Sequence, residues 1–116
     1  MRKKIDIYLE QIHSKSLINN YKIRQSPIHG RGVFANKAFK SGEFVNTHIY
    51  PDKNGEPKAT HFGGFLNHSH IPNALTKKYK DGFYKTFAIV DIKPGDEITL
   101  DYTKNKTLEQ PRKGWK

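Results

Sequence analysis

The sequence predicts a mostly β domain made of short strands and many loops. Three observations carry this. From Tyr21 onward, turn signals built on Gly, Pro, Asn and Asp separate a series of short strand candidates. The segments between them are short and rich in β-branched and aromatic residues. No helical period is sustained beyond a first segment at residues 5–18. With 116 residues and 13.4 kDa the chain fits a single domain with one modest core.

Residues 5–18 fit two patterns. Ile5, Tyr8, Leu9 and Ile12 follow helical spacing, whereas Ile5, Ile7 and Leu9 follow strand spacing. The reading leans to a helix packed on the outside of the domain, within an N-terminal extension over residues 1–20. From Tyr21 to Gln25 the chain reads as extended, and Ser26 to Gly32 is a loop because Pro27, Gly30 and Gly32 oppose regular structure. Val33–Ala35 is a short strand and Lys40-Ser41-Gly42 a turn. Glu43 to Tyr50 alternates, with Val45, Thr47 and Ile49 on one face. Asn54-Gly55 marks a loop or hairpin tip between Pro51 and Pro57. Ala74–Tyr79 and Phe83–Val90 flank Lys80-Asp81-Gly82, a hairpin signal, and Phe83, Phe87 and Ile89 read as its core face. Pro94-Gly95 suits the centre of a type II turn, after which Ile98–Tyr102 resumes a strand. The tail over residues 103–116 is polar apart from Leu108 and Trp115.

Composition excludes several classes. With no Cys there is no disulfide framework, no Cys-ligated zinc and no thiol nucleophile. No stretch has the length of a membrane span, and the start of the chain lacks the apolar run of a signal peptide. An intracellular location, cytoplasmic or nuclear, is expected. The net charge of +10 favours acidic partners, nucleic acid among them, so association with a nucleic-acid-containing assembly is one expectation.

Candidate chemistry is sparse when each residue is taken alone. His68-x-His70 is the closest pair among six His, but no acidic residue or third His lies at a familiar ligand spacing, so no metal site is expected. Ser69, His68 and Asp101 name the members of a triad, yet adjacent Ser and His point apart on a strand. Gly30-Arg31-Gly32 offers backbone N–H groups to an anion, or simply a turn.

The order of three elements is more informative. Ile28-His29-Gly30-Arg31-Gly32-Val33-Phe34-Ala35 comes first, and Phe65-Leu66-Asn67-His68-Ser69-His70-Ile71-Pro72-Asn73-Ala74 second. Phe87-Ala88-Ile89-Val90-Asp91-Ile92 with Gly95-Asp96-Glu97-Ile98-Thr99-Leu100-Asp101-Tyr102 closes the series. Over residues 21–102 the chain resembles the SET domain, the protein-lysine methyltransferase family, in its minimal viral or bacterial form. The resemblance implies a β-clip-like fold with a C-terminal pseudoknot, and S-adenosyl-L-methionine as cofactor. A protein lysine is implied as substrate, in the host cell if the source is viral.

It further implies that His29, Gly30, Arg31, Gly32, Asn67, His68 and Tyr102 hold the cofactor, with Trp115 in the tail as an aromatic lid or part of a fraying end. Tyr102 would be the catalytic tyrosine of a channel along which Leu100, Phe87 and Tyr84 contact the substrate. The chain departs from the family where Asn46-Thr47-His48-Ile49 replaces an E-Y-x-G-E pattern, where Gly64 replaces Arg, and where His70 replaces Cys. A catalytically silent SET module that binds nucleic acid or protein is the alternative, and a homodimer would be one way to complete a short groove.

Overall fold

The computed structural model describes residues 18–104. The expected N-terminal helix, the polar tail and Trp115 therefore lie outside the described residues. Eight strands follow one another: β1 (Tyr21–Gln25), β2 (Arg31–Ala35), β3 (Phe44–Pro51), β4 (Pro57–Ala59), β5 (Asn67–His68), β6 (Ala74–Lys78), β7 (Tyr84–Ala88) and β8 (Glu97–Leu100). Three 3-10 turns lie at Ile18–Asn20, Gly63–Phe65 and Tyr102–Lys104. The mostly β architecture read from the sequence is the one observed. No helix among the described residues is long and apolar enough to cross a membrane.

The strands form two four-stranded sheets. One has the order β4-β3-β7-β6 and is antiparallel throughout. The other has the order β1-β2-β8-β5, antiparallel except that β5 and β8 run parallel. The last strand thus lies between two that were made earlier, β2 and β5. It pairs antiparallel with β2 and parallel with β5, so residues from the loop before β2 and from the segment leading into β5 are brought to either side of it. β6 packs against β8 and joins the sheets. Between them sits a core of Val33, Phe39, Val45, Phe62, Ile92, Ile98 and Leu100.

Turn chemistry holds where it was expected. The Asp96 N–H donates to the Lys93 carbonyl at 3.0 Å around Pro94-Gly95, with Gly95 at φ 92. The β6–β7 hairpin closes through the Gly82 N–H on the Tyr79 carbonyl, with Gly82 at φ 91.

Three expectations are corrected. Alternation along β3 fails, because register shifts against β7 fall between Phe44 and Asn46 and between Thr47 and Ile49. Val45, Asn46, Thr47 and His48 are consequently all buried, as bulges re-aim side chains that strict pleating would expose. The core face of β7 is the opposite of the one read from its aromatics: Tyr84, Thr86 and Ala88 face inward. Phe87 packs edge-on against Phe44 with the Lys77 ammonium over its ring, and Ile89 is exposed. Finally, β8 stops at Leu100 instead of Tyr102. There the Tyr102 N–H leaves the ladder for His68 Nδ1, and the Lys104 N–H donates to the Asp101 carbonyl to start a 3-10 turn.

Candidate active site

The site is built on three segments that the β5–β8 pairing brings together. The first is the loop before β2. The Ser26 N–H donates to the Gly30 carbonyl at 2.7 Å, and Gly30 at φ 44 lets the chain reverse within five residues. The second is the Gly63–Phe65 turn running into β5. Gly63 has no side chain because a Cβ there would meet the His48 carbonyl and ring. The third is β8 with the Asp101-Tyr102 pair behind it.

Asn67 ties the first segment to the third. Its Nδ2 donates to the carbonyls of His29 (3.1 Å) and Arg31 (3.3 Å) and to the Glu97 carboxylate (2.8 Å). Ser26 Oγ donates to the same carboxylate at 2.8 Å. Asn73 locks β8 from the other side, its Nδ2 on the Glu97 carbonyl and its Oδ1 accepting from the Thr99 N–H. Glu97 and Asn73 are thus structural members of the site, which reading the sequence for chemistry alone does not reveal. The visible signal was a carboxylate opening a buried strand opposite a Gly-rich loop.

These segments enclose a cavity of about 350 Å³, lined by Ile28, His29, Gly30, Arg31, Gly64, Phe65, Leu66, Asn67 and His68. Five of the residues expected to hold a cofactor therefore share one wall. Gly32 lies just behind it, where Asn67 and Glu97 crowd its Cα. Tyr102 is buried and does not itself line the cavity; its hydroxyl donates at 2.9 Å to the carbonyl of Leu66, which does. Leu100 is fully buried beneath it. Tyr84 and Phe87 fall on opposite faces of β7, so that strand does not offer both to one channel wall.

Two imidazoles flank the Tyr102 ring, His48 and His68, each with its centroid 6.2 Å away. His68 Nδ1 accepts from the Tyr102 N–H at 3.1 Å, which places the proton of the neutral ring on Nε2. Burial first, then the neighbouring His70, lowers its pKa, against the pull of Asp101. Asp101 is held low by the Thr103 hydroxyl and N–H that it accepts. His68, His70 and Asp101 bring one potential metal-ligand atom each within 4.8 Å of one another. The donor set does not suit a metal, however. His68 Nε2, 3.4 Å from His70 Nε2, carries the proton, and freeing it would cost the bond that anchors Tyr102.

Burial pushes the His48 imidazole down to about 4. Between that value and an unfolded value near 6.5 the unfolded chain binds a proton that the folded chain refuses, so stability falls as pH drops through this window. The loss approaches roughly 3 kcal/mol below pH 4 for this one group, and His68 acts in the same direction. Thermal melts between pH 7 and 4 will show this acid sensitivity, and His48→Gln will flatten the profile. A wild-type melting temperature constant over that range would contradict it.

Comparison with known proteins places this arrangement. Residues 47–103 match the SET domain family. A variant-silencing SET domain-containing protein of Plasmodium falciparum is 26% identical over an alignment covering 78% of this chain. The chain spans only 5% of that relative's length. Among solved structures, a Plasmodium falciparum protein named as a candidate histone methyltransferase superposes with a TM-score of 0.61 at 24% identity, over 72% of this chain and 93% of that one. A humanized Chaetomium thermophilum Polycomb Repressive Complex 2 bound to an inhibitor gives 0.60 at 21%, over 73% of this chain and 15% of the other. An S-adenosylmethionine-bound, autoinhibited form of that complex gives 0.60 at 19%, over 75% and 15%. Over residues 47–103 the chain matches the SET domain family in sequence, and its described residues share the fold of these solved structures.

Proposed function

We propose that this chain transfers a methyl group from S-adenosylmethionine to the side-chain amine of a protein lysine. One observation carries the reading: the cavity lined by residues 28–31 and 64–68 reaches Leu66, whose carbonyl holds the hydroxyl of a buried tyrosine. The residues present fit the cofactor. At about 350 Å³ the space is at the lower end of ligand pockets, which run from roughly 300 to 1,000 Å³. Nothing stands within 4 Å of where a Cβ would project from Gly30 or Gly64, so both leave room. The lining mixes apolar Ile28, Phe65 and Leu66 with polar groups, as an amphipathic nucleoside needs. Asn67 spends its Nδ2 on the loop before β2, leaving its Oδ1 as an acceptor for an ammonium.

When bound, S-adenosylmethionine supplies a methyl group carried on a sulfonium. The chain must present a neutral amine to it, although a free lysine titrates near 10.4 and its deprotonation at neutral pH costs about 4–5 kcal/mol. Around Tyr102 the surroundings oppose the charged form: the ring is buried and its two imidazole neighbours are neutral. The Tyr102 oxygen, whose own proton goes to the Leu66 carbonyl, accepts a hydrogen bond from the amine and helps fix the direction of its lone pair. No side chain need act as general base, since desolvation removes the proton to water before the transfer. A structural neighbour named as a candidate histone methyltransferase supports a protein substrate, while the +10 charge argues against a strongly basic tail unless acidic residues line the groove.

Calorimetric titration with S-adenosylmethionine, followed by labelling of a cell lysate with the methyl-labelled cofactor, tests the reading. Binding at one site with label on lysine supports it. Absence of cofactor binding supports the catalytically silent alternative instead.

A further inference from the structure

His48 is a buried residue with half of its hydrogen bonding unmet. Its Nδ1 meets Thr76 Oγ1 at 2.9 Å, and Thr76 Oγ1 meets Thr86 Oγ1 at 2.8 Å, deep in the sheet. The other nitrogen, Nε2, has no partner among the described residues. A buried imidazole that leaves a nitrogen unpaired forfeits roughly 1–3 kcal/mol, and such exceptions call for a ligand or a function.

The surroundings of that nitrogen point to one. Gly63 packs against His48 Cδ2, the ring atom bonded to Nε2. The edge of the ring that carries Cδ2 thus faces Gly63, three residues before Leu66, whose carbonyl holds the Tyr102 hydroxyl. The His48 ring stands edge-on to Tyr102, at an interplanar angle of 78°. The register shift between Thr47 and Ile49 is what turns His48 inward, and bulges of this kind commonly re-aim side chains beside active sites.

Resting on the methyl-transfer reading above, we propose that His48 lines the lysine channel beside Tyr102 and that its Nε2 accepts a hydrogen bond from the substrate amine. Thr76, in its bond with Thr86, holds the ring with Nδ1–H donated to Thr76, which leaves the Nε2 lone pair for the amine. Because burial keeps the ring neutral, it orients the amine without taking its proton. The proposal has a consequence for product. Each methyl added replaces one N–H, so a dimethylated amine has none left to give, and the third transfer loses this contact. Leu100 offers no hydroxyl to limit methylation, so His48 becomes the residue that does.

The test compares wild type, His48→Phe and His48→Gln on a pool of synthetic lysine peptides with S-adenosylmethionine, with products resolved by mass spectrometry. Wild type is expected to stop at mono- and dimethyllysine. His48→Phe should slow the first transfer by roughly tenfold, about one hydrogen bond, at unchanged cofactor affinity, and raise the share of trimethyllysine. His48→Gln, which keeps an acceptor, should restore most of the rate. Because His48→Phe also strands Thr76 and Thr86, a second measurement uses the wild-type protein alone. With S-adenosylhomocysteine bound, addition of Nα-acetyl-lysine amide should shift the His48 Nε2 nitrogen resonance and leave Nδ1 nearly unmoved. Equal rates and products for wild type and His48→Phe, or an Nε2 signal indifferent to the amine, would overturn the proposal while leaving methyl transfer intact. A wild-type chain that binds no cofactor, or methylates no peptide, would instead overturn the methyl-transfer reading and the channel with it.

Discussion

Replacing Tyr102 by Phe is expected to lower methyl transfer by about 10²–10³-fold, the range seen when one preorganised polar contact at a reacting centre is removed. Cofactor binding should stay within about twofold, because the contacts assigned to it come from residues 28–31 and 64–68 and not from the phenol tip. The fold should lose only about 1 kcal/mol, the net worth of the hydroxyl's bond to the Leu66 carbonyl. The split between these effects is the informative part. A merely structural tyrosine would lose stability and cofactor affinity together and leave the rate per bound cofactor unchanged. Calorimetry for binding, single-turnover transfer for the chemistry and thermal melts for the fold separate the cases.

Gly32→Ala is expected to have the largest effect on the scaffold. A Cβ at this position would collide with the Glu97 carboxylate and come within 2.9 Å of Asn67 Nδ2. Both are held in place: Glu97 by Ser26 and Asn67, and Asn67 by the carbonyls of His29 and Arg31. Either the bonds break or the loop moves, and overpacking of about 1–3 kcal/mol adds to the cost of an unpaired buried group. A loss of about 2–4 kcal/mol follows, with cofactor affinity down by more than about tenfold as the cavity wall shifts. Gly30→Ala is the control. It sits at φ 44 with no neighbour within 4 Å of a Cβ, so it pays only backbone strain, about 1–2 kcal/mol. Chemical denaturation of both variants, with cofactor titration alongside, will rank them. Equal losses for the two would refute the crowding argument.

Local chemistry made the turns legible. Gly82, Gly95 and Gly55 all adopt the positive φ that their neighbours in sequence imply, and the strands they delimit are in place. Long-range pairing was not legible in the same way. The β7 face is inverted because Thr86 is fully buried in a hydrogen bond to Thr76, and a polar residue at a core position hides from any apolar pattern. The bulges of β3 likewise depend on its partner strand, not on its own residues. For the site, the motifs named residues that the fold brings to one cavity wall, because the loop before β2 and the segment leading into β5 meet through Asn67. Glu97, Asn73 and His48 escaped because their roles are relations: a carboxylate against a glycine, an amide astride a strand, an imidazole with one nitrogen unpaired.

The most direct measurement is a crystal structure of the full chain with S-adenosylhomocysteine. Ligand density between residues 28–31 and 64–68, with its sulfur facing the Tyr102 hydroxyl, is the predicted result. Density elsewhere on the molecule, or a cavity that stays filled only by solvent at saturating ligand, would contradict the account.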